Sequence, residues 1–264
     1  MKKIFLLLII IFLMTGCGGE KNSNDAKSPK YSRIITVGFD EFAPMGFTEN
    51  GEVVGFDIDL AKEAAKRMGV TFEFKPIDWG NKESELDSGN VDMIWNGLSM
   101  LEDRKEHMTF SKPYMDNRQI ILVAKDNSQE IHSVGDLTGK IVAAQAGSSA
   151  ETYIDEDEYL RNSFAKFKTY RNINEGFEAL SKGEVDALIT DEIAARYYIN
   201  KNHDKFEIVE ATVGPIAEFG IGFRKGNTEL RDKIQQVFDS MVKDGTAKEI
   251  SEQWFGADLI KSSR

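Results

Sequence analysis

Leu86-Asp87-Ser88-Gly89-Asn90-Val91-Asp92-Met93-Ile94 is echoed by Leu180-Ser181-Lys182-Gly183-Glu184-Val185-Asp186-Ala187-Leu188. The offset is 94 residues, and Leu, Gly, Val and Asp are identical at matching places. Each copy reads as a helix end, a glycine turn and a buried strand. Two lobes, each with its own sheet, follow from that reading. The plainer alternative is a coincidence between two generic helix–turn–strand units.

The flanking sequence extends the first unit in both directions. Ile34-Ile35-Thr36-Val37 reads as a strand. Asp57 stands where an N-cap belongs, Ile58, Ala61, Ala65 and Met68 recur at helical spacing, and Gly69 is placed as a C-cap. Val70, Phe72 and Phe74 alternate as a strand, Glu83 to Ser88 is a short helix stopped at Gly89, and Val91 to Trp95 is a strand. Alternating strand and helix predicts an α/β fold with mostly parallel sheets. The chain is expected to cross between lobes near Leu122 to Asn127 and again near Ala211 to Glu218. Phe219, Ile221 and Phe223 then alternate as a strand. Leu230, Ile234, Val237, Phe238 and Met241 mark a long amphipathic helix ended at Gly245.

The N-terminal segment has a different character. Lys2 and Lys3 precede an unbroken apolar run, Ile4 to Met14, of eleven residues. A spanning helix needs about 20, so residues 1–16 read as a signal peptide. Leu13-Met14-Thr15-Gly16-Cys17 resembles the bacterial lipobox, with Met14 where that pattern prefers leucine, and Cys17 is the only cysteine. Lipidation of Cys17 is expected, and the alternative is an ordinary signal peptide with a chance cysteine. Gly18 to Lys30 is polar and lacks a hydrophobic period, as a tether does. Stretched out, those residues reach roughly 45 Å. The expected organisation is 17–32 as lipidated cysteine and tether, 33–123 as the first part of lobe 1, 124–213 as lobe 2, and 214–264 as hinge return and the rest of lobe 1.

Composition narrows the function. The 264 residues carry a net charge of −11, and loss of Lys2 and Lys3 with residues 1–16 makes it −13. An acidic chain argues against nucleic acid. One cysteine excludes an internal disulfide framework, and the scattered His107, His132 and His203 lack the common zinc spacings. No metal or cofactor is expected.

Ligands of open α/β sheets lie outside the carboxyl ends of the strands. Here those ends carry Phe42, Trp79, Asn96-Gly97, Gln145-Ala146-Gly147-Ser148-Ser149 and Thr190-Asp191. Ser99 with Glu102 has the S-x-x-E pattern of a capping box, and Arg104 supplies a planar fork suited to a carboxylate. The bland counterpart is an ordinary capped helix with a surface arginine. Ser148 and Ser149 present a second helix start to an anion. Asp191 is suited to an ammonium group, or else N-caps the helix through Tyr198. Phe42 and Trp79 fit either a pocket wall or the core. An anion grip, a cation grip and two aromatic rings together describe an α-amino acid.

Val54-Gly55-Phe56-Asp57-Ile58-Asp59-Leu60 resembles the G-F-D-x-D-L motif of bacterial polar-amino-acid-binding proteins, the extracytoplasmic solute receptors of ABC importers. Leu98 to Lys105 with Phe110-Ser111-Lys112-Pro113-Tyr114, Asp136-Leu137-Thr138-Gly139-Lys140, Gln145 to Ser149, Gly245-Thr246 and Trp254-Phe255-Gly256 resemble its later motifs in order. The resemblance covers residues 33–256. It implies a two-lobed clamshell of the periplasmic-binding-protein type, joined by two hinge strands. It implies that Arg104, Ser99 and the Ser149 N–H hold an α-carboxylate. It places Asp191, Ser99 and the Gly97 carbonyl on the α-amino group, and Phe42 and Trp79 along the side-chain pocket. Asn96, Gln145, Ser148 and Thr190 complete the expected site. The family often has aspartate three residues before the loop aromatic. Here Phe39 stands there and the acids are Asp40 and Glu41, which leaves open which of them meets the ligand. The resemblance further implies a monomeric receptor, anchored outside the cytoplasmic membrane through Cys17, that delivers a polar L-amino acid to a permease. The rival readings are a dehydratase-like enzyme on the same scaffold and a sensory receptor. Catalysis needs a positioned acid or base, and no histidine falls in a ligand loop.

Overall fold

Apolar alternation at Ile35, Val37 and Phe39 buries one face of the opening strand, and the chain winds around it. The computed structural model describes residues 34–201 and 205–261. The expected signal peptide, Cys17 and the tether lie outside these residues. In chain order the first part contains β1 (Ile34–Phe39), a hairpin of β2 (Phe47–Glu49) and β3 (Glu52–Val54), α1 (Phe56–Met68) and β4 (Thr71–Pro76). A 3-10 turn (Trp79–Asn81), α2 (Lys82–Asp87), β5 (Met93–Ile94), α3 (Glu102–His107) and β6 (Met108–Phe110) follow. The second part contains β7 (Met115–Ala124), β8 (Ile141–Gln145), α4 (Ser149–Glu156), α5 (Glu158–Ser163) and β9 (Lys166–Tyr170). It continues through α6 (Ile173–Ser181), β10 (Ala187–Asp191), α7 (Glu192–Lys201) and β11 (Phe206–Phe219). The chain then returns as β12 (Gly222–Arg224), α8 (Thr228–Asp244) and α9 (Thr246–Phe255).

Two five-stranded sheets result, ordered β4-β1-β5-β12-β6 and β11-β7-β10-β8-β9. The two-lobed α/β expectation holds. Within each sheet only half of the pairings are parallel: β4-β1-β5 in the first and β10-β8-β9 in the second. The rest are antiparallel because β12 runs against both of its neighbours, β5 and β6, and β7 runs against both of its own, β10 and β11. Four of the five strands in each sheet therefore run in one direction, so the mostly parallel expectation holds with one reversed strand in each sheet.

The repeat has a physical basis. Asp92 accepts the Thr36 N–H at 2.9 Å and gives its own N–H to the Thr36 carbonyl at 2.9 Å. Asp186 treats Ile141 identically, both at 2.8 Å. Each aspartate thus extends a parallel ladder by one rung onto the neighbouring strand. Gly89 and Gly183 both turn the chain in the left-handed region that precedes it.

Helix ends follow the sequence at Gly69 and Gly245, both left-handed C-caps. Asp57 is not an N-cap. Gly55 holds that place, and Asp57 faces inward, fully buried, because α1 starts two residues earlier than the capping pattern suggests. The strand expected over Val91 to Trp95 is confined to Met93–Ile94.

The crossings also move. Residues 122–127 and 211–218, expected between lobes, lie largely within the second sheet, since β7 and β11 pair from Met115↔Phe219 to Ala124↔Phe206. Sheet membership changes near Met115 and Phe219, so the expected boundaries at 123/124 and 213/214 shift there. The β7–β11 register breaks between Val209 and Thr212 and between Val213 and Ala217. Lys261 ties the end of the chain to this ribbon. Its N–H donates to the Tyr114 carbonyl at 2.8 Å, and its ammonium bridges Asp116 and Glu218, which face each other across the two strands.

Candidate functional site

A pocket with about 310 Å³ of empty space, part of it open to solvent, lies where both sheets present their strand ends. The first sheet's side contributes Asp40, Phe42, Trp79, Asn96, Gly97 and Arg104, and the second contributes Gln145, Ser148, Ser149 and Asp191. The structure thus gathers every residue expected at the site except Ser99 and Thr190, and adds Asp40.

The positive part of the lining is built from Arg104 and the start of α4. Arg104 is buried, 3% exposed, rather than the surface arginine of the bland reading. Its guanidinium donates to the Ser99 carbonyl at 3.1 Å and, across the cleft, to the Gly147 carbonyl at 2.9 Å. Burial is the main cause that draws its pKa below the ordinary range. Ser99 is no capping residue. The helix that carries Arg104 begins at Glu102 with Leu101 before it, while buried Ser99 bridges to Phe219. Residues 95–101 form no regular element before that helix apart from the Ser99 bridge. A capping arrangement forms instead at Ser148. Its side chain accepts the Glu151 N–H at 3.2 Å, and Glu151 accepts the Gly147 N–H at 2.6 Å. The same S-x-x-E pattern was present there to be read. The first N–H groups of α4 have no partners inside the helix and carry its positive dipole end.

An acidic part of the lining is Asp191. It terminates β10 rather than capping α7, because its carboxylate turns back to the neighbouring strand and accepts from Asn117 and from Gln119, the latter at 2.7 Å. Desolvation raises its pKa, and the two amides oppose that rise. Thr190 is buried beside it, and its hydroxyl has no hydrogen-bond partner among the described residues.

The remaining wall combines a carboxylate with two aromatic rings. Phe42 and Trp79 are each 7% exposed and line the cavity, so they are buried and face the site at once. Asp40 accepts from the Gln145 side-chain amide at 2.6 Å, and burial lifts its pKa from 3.8 to about 6. Glu41 turns away and accepts from the Thr48 N–H and hydroxyl at 2.9 and 2.6 Å. Asn96 works as a brace, accepting the Asp40 N–H at 2.9 Å and donating to the Gly46 carbonyl at 3.3 Å.

Two supporting residues had no sequence signal as site components. Asp57 accepts the Gly97 N–H at 2.6 Å and the Tyr114 hydroxyl at 2.8 Å, and burial raises its pKa to about 7. Lys82, 4% exposed, donates to the Trp79 and Gly147 carbonyls.

The profile of bacterial extracellular solute-binding proteins, family 3, matches residues 35–257. The L-cystine-binding protein TcyJ of Escherichia coli (strain K12) is 31% identical over 223 residues, 83% of this chain and 81% of its own. The arginine-binding extracellular protein ArtP of Bacillus subtilis (strain 168) is 32% identical over 262 residues, 97% of this chain and 98% of its own. Among solved structures, an ABC uptake transporter substrate-binding protein from Streptococcus pneumoniae with bound histidine superposes with a TM-score of 0.82. It is 39% identical and covers 86% of this chain and 94% of its own.

Proposed function

The chain belongs to the family 3 bacterial extracellular solute-binding proteins, and from that premise we propose that it captures a polar L-amino acid in this cleft. The observation that carries the reading is the pairing of opposite charges on one cavity, Arg104 from the first lobe and Asp191 from the second. A zwitterion supplies the complement of both. Its carboxylate takes Arg104 and the N–H groups that open α4, and its ammonium takes Asp191 and the Gly97 carbonyl. Its side chain then extends past Phe42 and Trp79 toward Asp40, which favours side chains bearing N–H donors.

The ligands named for these relatives, cystine, arginine and histidine, support an amino acid without selecting among them. A thermal-shift screen of the twenty amino acids with cystine, ornithine and citrulline, followed by calorimetry, tests the reading. At least one amino acid should stabilise the protein and bind, and a screen with no binder rejects it. A turnover assay on the binder should return it unchanged.

The same proposal includes a lipid anchor on Cys17, a monomeric receptor and delivery to an ABC permease. Cys17→Ala should release the protein from the membrane or leave it unprocessed. Unchanged partition into detergent removes the anchor from the proposal.

A further inference from the structure

The turn Trp79–Asn81 delivers Lys82 to the first position of α2, where a lysine ordinarily reaches solvent. This one is sealed in, and among the described residues it forms no ion pair. Its ammonium donates to the Trp79 carbonyl of its own turn at 3.3 Å and to the Gly147 carbonyl of the other lobe at 3.0 Å. Arg104 donates to that same Gly147 oxygen at 2.9 Å. Two cations of the first lobe therefore meet, within about 6 Å of each other, on one uncharged acceptor of the second. The next residue, Ser148, caps α4, whose first N–H groups add a third positive element.

Bringing two like charges out of water onto a neutral acceptor costs free energy twice, by desolvation and by repulsion. An anion seated among them offsets both costs. Burial, reinforced by Arg104, lowers the Lys82 amine from 10.5 to about 7, as expected of a cation short of counter-charge. Glu83, Asp103 and Glu151 act on it only through space.

We propose that Lys82 is a specificity-determining residue of the carboxylate seat: a second cation that, without touching the ligand, makes lobe closure depend on the ligand's carboxylate. The inference rests on the amino-acid-binding reading above. A carboxylate held by Arg104 lies roughly 5–8 Å from the lysine, close enough at an effective dielectric near 20 to favour a carboxylated ligand by about tenfold or more.

The test compares each amino acid with the amine that lacks its carboxylate: L-arginine with agmatine, L-histidine with histamine, L-cystine with cystamine, and L-glutamine with 4-aminobutanamide. Affinities are measured on the full chain in detergent for wild type, Lys82→Met, Lys82→Gln and Lys82→Arg. Wild type should prefer the carboxylated member of whichever pair binds. Lys82→Met and Lys82→Gln should lose about tenfold of that preference, with the amine's own affinity unchanged or raised, and Lys82→Arg should restore most of it. A preference unchanged in both neutral variants, or an equal loss for both members of a pair, overturns the role of Lys82 while leaving the function intact. If wild type binds no amino acid, the binding reading fails and this inference falls with it.

Discussion

The side-chain amide of Gln145 donates to the carboxylate of Asp40 over 2.6 Å, joining the end of β8 in one sheet to the residue after β1 in the other. Neither residue has a net-charge partner in this contact, so burial lifts the Asp40 pKa to about 6. A ligand side chain with a cationic nitrogen supplies what Gln145 cannot.

Asp40→Asn should therefore weaken binding of L-arginine by about 10–100-fold, the usual cost of removing one charge from a desolvated pair. In wild type that affinity should fall as pH drops through 6, because a protonated Asp40 offers no charge. The asparagine variant should show a flat profile over the same range. Parallel profiles in titrations at pH 7.5, 6 and 5 would remove Asp40 from the side-chain site.

Gly147 sets how closely the lobes can approach. Its φ is +70°, and an added Cβ would lie 2.9 Å from the Gly80 Cα and 3.2 Å from the Trp79 carbonyl oxygen, both backbone atoms of the opposite lobe. Gly147→Ala should cost about 1 kcal/mol of stability through the left-handed backbone. It should also block full closure, weakening ligand at least tenfold with faster dissociation. Small-angle scattering at saturating ligand should show less compaction than in wild type, and full compaction would refute the contact as a limit.

Arg104 and Asp191 should separate the two ends of the ligand. Arg104→Ala removes a buried charged donor and should cost about 2–5 kcal/mol of binding. Because the arginine is buried rather than superficial, some loss of melting temperature should accompany it. Asp191→Asn should weaken the intact amino acid but add little loss for an analogue lacking the α-amino group, measured by calorimetry on both proteins. Equal sensitivity of both ligands would show that Asp191 does not read the ammonium.

Asp57 makes stability depend on pH. Its pKa is raised from 3.8 to about 7 by burial, so the folded state binds the proton more tightly than the unfolded chain. Its contribution is fully present below pH 3.8 and is lost as pH rises through 7, by up to about 4 kcal/mol across the window. The melting temperature of wild type relative to Asp57→Asn should therefore be more favourable at pH 5 than at pH 8. A difference that does not change with pH would show that Asp57 stays ionised throughout.

The strand and helix order was legible because it rests on local periods: Ile58, Ala61 and Ala65 along α1, and Ile234, Phe238 and Met241 along α8. Site residues at strand ends were legible for the same reason, since a strand's end is a local property. Helix starts were not. Ser99 and Ser148 share one spacing, and only the second caps, because Ser99 is held in the bridge to Phe219 by contacts 120 positions away. Sheet membership of β7 and β11 was hidden as well, since pairing such as Met115 with Phe219 leaves no trace in either segment alone. Lys82 escaped notice because a lysine opening a helix reads as solvated, and its burial is the work of the opposite lobe.

The paired strands that carry the chain between lobes also determine how the molecule can deform. Two strands bonded side by side, Met115 to Phe219 and Asp116 to Glu218, resist stretch and slip but flex across their thin dimension. The lobes therefore swing about a single line, and the other relative motions are stiff. Compliance concentrates where the ladder is interrupted between Val213 and Ala217. There Gly214 lies with φ +73° against the Tyr153 ring, and Pro215 has no N–H to bond. A side chain at Gly214 would overlap that ring at 2.3 Å and jam the joint. With the pivot this narrow, a small dihedral change there is amplified by leverage at Trp79 and Gly147, where the cleft meets.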